Sequence, residues 1–377
     1  MIESIKLENF KSHRSTQLKF DDSRLHAIVG QNSSGKTSIL KALHYMTQLI
    51  NIEFDRIFVH ENSPQFITTT GFPNMSISLN GYWGSINKKK WQLFCGWKKK
   101  YSQWKPTVLL TNHTGQSSNY IVGKSSIIGA PPPISHSLKY SVYLKLIASQ
   151  FNEAAYSDEV TPQIQEDGSG LAPTLDFIRN EVSDKFQELK AMLKRIVPGV
   201  RDLSIRRAKV AIHRQRSIEV NGQFIPYEER QDVTGQEVIF DMNTGDRIPA
   251  HAISEGTMLA LGLLTVLMHP NQPNLVLLDD IEQGLHPKAQ RELMDVLKEI
   301  LKLNENLQII LSTHSPYIID ELNPAQVHVL NNTHSGFTVA KRLDEHPDIE
   351  WAKQTLTTGE FWDAEGEEWV VGSEVSE

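Results

Sequence analysis

An α/β fold with a mixed central sheet, flanked by helices and interrupted by a β-rich side lobe, is predicted for this 377-residue chain by three observations. The first is a buried-strand pattern, Leu25-His26-Ala27-Ile28-Val29, that passes through a glycine-containing turn into the helical pattern Ser38 to Ile50. The second is a pair of apolar runs in the far half, Leu275-Val276-Leu277-Leu278 and Gln308-Ile309-Ile310-Leu311, of the kind that strands covered on both faces require. The third is the helix between them. It carries Leu293, Val296, Leu297, Ile300 and Leu301 at helical spacing with Lys, Arg and Glu between.

The turn after the first strand reads Gly30-Gln31-Asn32-Ser33-Ser34-Gly35-Lys36-Thr37, with Ser38 next. Glycines at its two ends allow backbone conformations that turn successive N–H groups inward, and the helix behind adds the positive end of its dipole. This is a phosphate-binding P-loop. Lys36 is placed to reach the terminal phosphates of a nucleotide, and the Thr37 hydroxyl to hold Mg²⁺.

A nucleotide held there needs a carboxylate for its metal and a group to place the attacking water. The strand Leu275 to Leu278 ends in Asp279-Asp280, with Glu282 two residues on. Asp279 fits the Mg²⁺-side carboxylate, Asp280 stands where a water-polarising base belongs, and Glu282 is a third acid at the same strand end. Gly284-Leu285-His286-Pro287 leads into the amphipathic helix, with Pro287 at a tolerated first position. The strand Gln308 to Leu311 runs into Ser312-Thr313-His314-Ser315-Pro316, which sets His314 at a strand end facing the γ-phosphate. Upstream, Ser254-Glu255-Gly256-Thr257 precedes the almost wholly apolar Met258 to Met268, a buried helix whose N-terminus Ser254 is expected to cap as a second anion site.

These motifs, in this order, resemble the ABC-type ATPase heads of structural-maintenance-of-chromosomes (SMC) proteins, RecF-type recombination mediators and, most closely, the ATPase part of overcoming-lysogenization-defect (OLD) nucleases. The opening Ile5-Lys6-Leu7-Glu8-Asn9-Phe10-Lys11-Ser12-His13 is similar to the group's first strand and turn, which implies nucleotide contacts from Lys11 and His13. Ser254-Glu255-Gly256-Thr257 is similar to the signature motif that caps a partner subunit's γ-phosphate, so Ser254 and Gly256 are implied nucleotide contacts across a dimer. Asp279 to Pro287 and Thr313-His314-Ser315-Pro316 resemble the acidic run and switch histidine of OLD-type heads, and Asp167 to Ala172 also recurs in this group. The likeness spans residues 1 to 342 or so. One departure is chemical: most relatives carry Glu where Asp280 stands, and the shorter acid implies slow turnover.

The resemblance implies an ATP- and Mg²⁺-binding homodimer closed about its nucleotide. The expected division is a split core at 1–50 and 251–342, an inserted lobe at 51–250, and an acidic, aromatic-containing C-terminal segment at 343–377. The insertion has strand-like runs at Met75 to Tyr82, Trp91 to Trp97 and Tyr140 to Ile147, one helix from Thr174 to Ile196, and a short strand pair at Arg201 to Glu219. It has no heptad repeat of the chromosome-scale relatives; Pro131-Pro132-Pro133 and Thr161 to Gly170 read as its loops. Within it, Tyr82 to Lys105 interleaves lysines with Trp83, Trp91, Trp97, Tyr101 and Trp104. Such a stretch suits nucleic-acid binding, yet equally a hairpin with aromatics inward, and a second basic cluster from Arg201 to Arg216 leaves DNA as a partner open.

From Leu343 onward eleven acidic residues face one lysine, interrupted by Trp351, Phe361, Trp362 and Trp369, so part of the segment is expected to dock on its own head or on a partner. The net charge of −7 argues against general polyanion binding, and the single Cys95 against an internal disulfide framework, which points to a reducing cytoplasm. The longest apolar stretch, Met258 to Met268, is too short to span a bilayer, so no membrane is expected. About sixty residues follow His314, too few for the nuclease domain of OLD proteins. The leading expectation is therefore an ATPase subunit that switches a separately encoded nuclease or toxin in anti-phage defence. The alternatives are a RecF-like DNA repair protein and a nucleotide-binding scaffold without significant turnover.

Overall fold

Every residue of β3 (Leu25–Gly30) is buried, as its unbroken apolar run requires, and it lies between parallel neighbours. β13 (Gln308–Ser312) flanks it on one side and β14 (Val327–Asn332) on the other. Beyond β13 lie β12 (Leu275–Leu278) and β8 (Ser141–Leu144), also parallel, while β15 (Thr338–Arg342) closes the opposite edge antiparallel. The sheet is the mixed one predicted. Because β3, β12 and β13 point the same way, the loops that follow them emerge together at one end, where α/β sheets bind ligands.

The computed structural model describes residues 1–49, 57, 67–84, 88–100, 103–111, 117–120, 132–145, 148–220 and 223–372. The chain divides into two units: Met1–Leu144, Pro273–Glu282 and Met294–Glu377 form the first, Lys145–Gln272 and Gln283–Leu293 the second.

In the first unit, α1 (Lys36–Gln48) packs on the parallel sheet and buries Ile39, Leu40, Leu43 and Met46. A second, antiparallel sheet runs in the order β2 (His13–Lys19), β1 (Ile2–Phe10), β4 (Asn74–Trp83), β5 (Lys89–Lys100), β6 (Gln103–Thr111), β7 (Ser117–Tyr120). Its alternating inward residues Ile5, Leu7, Ile77, Leu79 and Leu93 share one core with α1. Strands β4 to β8 therefore belong with the first unit and not with an insertion of 51–250. Alternation marks a strand's inner face but not its neighbour, so sheet membership was hidden from a local reading. The basic and aromatic stretch is ordinary sheet: Trp91 and Trp97 are buried while Lys89, Lys90, Lys98 and Lys99 face out. Tyr101 lies outside the described residues.

Other expectations also shift. Leu146 and Ile147 lie outside the described residues, and Pro132 opens α2 (Pro132–Leu138), a position that tolerates proline. The C-terminal segment docks on its own unit through α9 (Ile349–Thr355), α10 (Thr358–Glu365) and α11 (Glu368–Val371). Phe361, Trp362 and Val370 are buried, whereas Trp351 is 57% exposed. α10 approaches the short α8 (Pro316–Ile319) so closely that a Cβ on Gly359 would meet the Pro316 carbonyl oxygen at 2.1 Å.

In the second unit, α3 (Ala148–Phe151), α4 (Leu171–Glu181) and α5 (Ser183–Ile196) surround the apolar α6 (Glu255–Met268). Two helices replace the single one expected, because Val182 takes a non-helical backbone (φ −142°, ψ 62°) and Ser183-Asp184 restarts the helix. The Phe151 ring presses on Gly262 of α6, where a Cβ would lie 2.3 Å from it. The short strand pair expected at Arg201 to Glu219 is instead one 21-residue strand, β9 (Val200–Val220). Its partner is the 20-residue β10 (Gln223–Met242), which also pairs with β11 (Arg247–Pro249). β10 is too polar to read as a strand. Beyond the buried Leu203, Val238, Ile239 and Phe240 at its base, the arm is lined by cross-strand pairs: Arg206 with Glu237 at 3.0 Å, His213 with Glu228 at 2.9 Å and Arg216 with Glu229 at 2.6 Å. At roughly 3.3 Å per residue the arm extends about 70 Å. α7 (Pro287–Leu303) begins in this unit and continues into the first from Met294.

The buried Gln308 side chain ties the two sheets of the first unit together, accepting from the Ile2 N–H at 2.8 Å and donating to the Ile2 carbonyl at 3.0 Å. Gln308→Leu strands both backbone groups, at about 1–3 kcal/mol apiece. It is expected to lower the urea midpoint of the first unit; an unchanged midpoint would contradict this link.

Candidate functional site

The P-loop begins where β3 ends. Gly30 has φ 142°, and a Cβ there would sit 2.2 Å from the Leu330 carbonyl oxygen; Gly35 has φ 99° and precedes α1 in a left-handed conformation. Neither position accepts a side chain without strain. Ser33 shares the positive φ, at 65°. α1 has no acidic residue in its first turn, so the positive end of its dipole faces the loop undiminished.

The loop is braced from behind. His13 is fully buried, with Nε2 3.2 Å from the Gly35 carbonyl oxygen and Nδ1 3.1 Å from Thr16 Oγ1. Thr338 Oγ1 donates to the Ser34 carbonyl at 3.0 Å, and Asn332 Nδ2 to the Ser33 carbonyl at 3.1 Å. His13 is thus a prop under the loop and not the direct nucleotide contact implied by resemblance. Lys11 remains in the turn between β1 and β2, its backbone left-handed (φ 50°) and its N–H bonded to the Ile67 carbonyl at 2.6 Å.

Lys36 is buried and donates to the carbonyls of Gly30 at 2.8 Å and Gln31 at 2.9 Å, which curls the loop about its amino group. Burial lowers its pKa, and the charges of Asp280, Asp279, Glu282 and Glu367 act in the opposite direction. Thr37 Oγ1 lies 3.0 Å from both carboxylate oxygens of the buried Asp279. Ser312 Oγ donates to Asp279 Oδ1 at 2.7 Å and accepts from the Asp280 N–H at 2.9 Å, and Tyr143 Oη donates to Asp279 Oδ2 at 3.4 Å. Asp280 carries a left-handed backbone (φ 55°), a conformation aspartate tolerates better than most residues. Glu282 turns back: it accepts from Thr313 Oγ1 at 2.7 Å and from the His314 N–H at 2.8 Å, which fixes the backbone beneath the exposed His314 imidazole.

The first unit therefore brings together Gly30 to Ser38, Asp279, Asp280, Glu282 and His314. Among the described residues no group of three or more His, Cys, Asp or Glu is disposed to hold a metal by itself. A hydroxyl and one carboxylate are what Mg²⁺ takes from protein when nucleotide phosphates and water complete its shell, so Thr37 and Asp279 fit that ion.

Ser254 and Gly256 belong to the second unit. The Ser254 hydroxyl bonds to the Thr257 hydroxyl at 2.8 Å and not to a backbone N–H, so it does not cap α6 as expected. Gly256 packs on the loop before α7, where a Cβ would meet the Gly284 carbonyl oxygen at 2.2 Å. A cavity of about 300 Å³ opens beside them, lined by Arg195, Ser254, Thr257, Leu285, His286 and Lys288.

A structure of the SMC head bound to the C-winged helix domain of ScpA superposes with a TM-score of 0.55 at 15% identity, over 91% of this chain and 99% of that one. Two ATPase-domain family models match in sequence: "AAA ATPase domain" over residues 1–130, and "AAA domain, putative AbiEii toxin, Type IV TA system" over residues 146–320. This chain has the fold of an SMC ATPase head. The head is 23% identical over 356 residues to an ATP/GTP phosphatase of Helicobacter pylori, covering 86% of this chain and 88% of the relative. It is 21% identical over 391 residues to the Retron Vc95 probable ATPase of Vibrio cholerae, covering 88% and 73% respectively. The narrower likeness to OLD nucleases rests on the motif residues alone.

Sequence reasoning missed Ser312, Tyr143 and Glu367. Ser312 stood next to a chosen motif, but only the parallel register of β12 and β13, with Leu278 opposite Leu311, reveals that it comes beside Asp279.

Buried histidines give the head an acid limit. Burial lowers the pKa of His13 to about 4 and of His328 to about 3, from an ordinary 6.5. The unfolded chain takes up these protons first, so their stabilising share is complete above pH 6.5 and is lost as pH falls towards 4. For His13 the loss is on the order of 3 kcal/mol. Urea midpoints are expected to fall between pH 7.5 and pH 5, less steeply in His13→Gln; a flat profile would contradict the buried neutral imidazoles.

Proposed function

We propose that the head binds ATP with Mg²⁺, hydrolyses it slowly, and closes as a head-to-tail homodimer to switch a separately encoded effector in anti-phage defence. The observation that carries the nucleotide chemistry is the convergence of Lys36, Thr37, Asp279 and Ser312 at the ends of three neighbouring elements. In this reading the P-loop amides and Lys36 hold the β- and γ-phosphates, and Thr37 and Asp279 hold Mg²⁺, which supplies charge neutralisation when bound. Asp280 accepts a proton from the attacking water, and His314 donates a hydrogen bond to the γ-phosphate side of the site. Glu282, engaged by Thr313 and the His314 N–H, is a positioning residue for that histidine and not a base.

Closure is assigned to Ser254 and Gly256, which would approach the nucleotide of a second copy. Neither copy then completes its own site, and association becomes linked to nucleotide by mass action. The defence reading is supported by the retron relative's name and by the type IV toxin–antitoxin description of the matching domain. The ATPase reading draws on the same relative and on the Helicobacter pylori phosphatase. The DNA-repair alternative draws less support: Arg206 and Arg216 of the arm are engaged by Glu237 and Glu229, and Trp91 and Trp97 are buried.

Asp280→Ala is expected to cut kcat by about 10²–10³-fold with ATP affinity retained, and to sediment as a dimer in ATP. Lys36→Ala is expected to lose ATP binding and to stay monomeric. Full turnover in Asp280→Ala would remove that residue from the chemistry, and ATP-independent association of Lys36→Ala would remove the nucleotide from the interface.

A further inference from the structure

The C-terminal segment reaches back to the P-loop, an approach that no motif of the nucleotide site announces. Glu367, in the link between α10 and α11, is 8% exposed, and its Oε2 accepts from Gln31 Nε2 at 3.4 Å. The segment is fastened on either side of this carboxylate. The Glu367 carbonyl accepts from Asn331 Nδ2 at 2.9 Å, and the Trp369 carbonyl accepts from Lys341 Nζ at 3.2 Å, with the same ammonium 5.7 Å from the centre of the Trp369 ring. On the other flank the Gly359 N–H donates to Asp320 Oδ1 at 2.8 Å, which seats α10 on the helix that follows His314. One short segment thus touches the P-loop and the element behind the switch histidine.

Among the described residues no arginine or lysine forms an ion pair with Glu367; its bond is to the neutral Gln31 amide. Burial, and after it the neighbouring Glu368 charge, raise its pKa, while Gln31, Lys36 and His314 act to lower it, so the carboxyl stands within the electrostatic reach of the two groups assigned to the terminal phosphates. A buried acid at the mouth of an anion cradle opposes the anion. That opposition grows with the charge delivered nearest to it, which for a triphosphate is the γ-phosphate.

We propose that Glu367 is a specificity-determining residue that competes with the terminal phosphate for Gln31 and Lys36, so that a bound triphosphate expels its carboxylate and the C-terminal segment reports the nucleotide's phosphate number. This rests on the P-loop reading above. Because the competition is one of charge, removing the charge at constant shape strengthens triphosphate binding more than diphosphate binding. A residue that merely held the segment in place would, on replacement, weaken both or neither.

The test is fluorescence titration of the full chain with N-methylanthraniloyl-labelled ATP and ADP, comparing the parent with Glu367→Gln, Glu367→Ala and Lys36→Ala. The expected result is about tenfold tighter ATP binding in Glu367→Gln with a smaller gain for ADP, the same order in Glu367→Ala, and no binding in Lys36→Ala. Unchanged or weaker ATP binding in both Glu367 variants, or equal gains for ATP and ADP, would overturn the assignment while loss of binding in Lys36→Ala left the P-loop reading standing. Binding that survives Lys36→Ala would instead overturn both.

Discussion

The carboxylate of Asp279 is the point on which the nucleotide site depends. It sits at the end of β12, buried, and takes hydrogen bonds from Thr37 at the start of α1, from Ser312 at the end of β13 and from Tyr143 on β8. A buried carboxylate without such partners would cost several kcal/mol, so the four elements are held in one arrangement by the same group that fits the metal. Neighbouring features follow from it. Ser312 accepts the Asp280 N–H, the chain turns through a left-handed residue at Asp280, and Glu282 is swung back onto Thr313 and His314.

Burial and charge divide the labour around that centre. His13, Thr338 and Asn332 hold the loop from beneath through its carbonyls, and the Ser34 N–H closes it on the Gln31 carbonyl at 3.2 Å. Burial lowers the pKa of Lys36 and the acids at the β12 end act against that, while those acids are in turn held by bonds to Ser312 and Thr313. The second unit is built on different terms. Its apolar α6 and the glycine contact between Gly256 and Gly284 make a tightly packed base, from which the β9–β10 arm extends with cross-strand ion pairs along it.

What the sequence disclosed was local. The P-loop is a contiguous string whose glycines, lysine and threonine each have a separate physical reason, and Asp279-Asp280 closes an apolar run that can only be a buried strand end. What stayed hidden depends on partners far away in the chain. Ser312 needs the register of β12 against β13, the membership of β4 to β8 needs the sheet order, and Glu367 meets Gln31 across more than three hundred residues. β10 escaped notice because Gln223 to Met242 carries its acids where a strand's alternation would place apolar residues, and those acids are met by arginines of β9. Ser254 shows the converse error: a residue of cap type at a helix start used its hydroxyl on Thr257 instead.

The most direct measurement is ATP affinity of Asp279→Asn with and without Mg²⁺, by calorimetry, alongside the parent. The asparagine keeps the shape and the bonds to Thr37 and Ser312 but removes the charge a divalent ion requires. Parent affinity should rise with Mg²⁺ while the variant binds ATP equally with and without it. A variant that retains the parent's full Mg²⁺ dependence would contradict the assignment of Asp279 as the metal-side carboxylate.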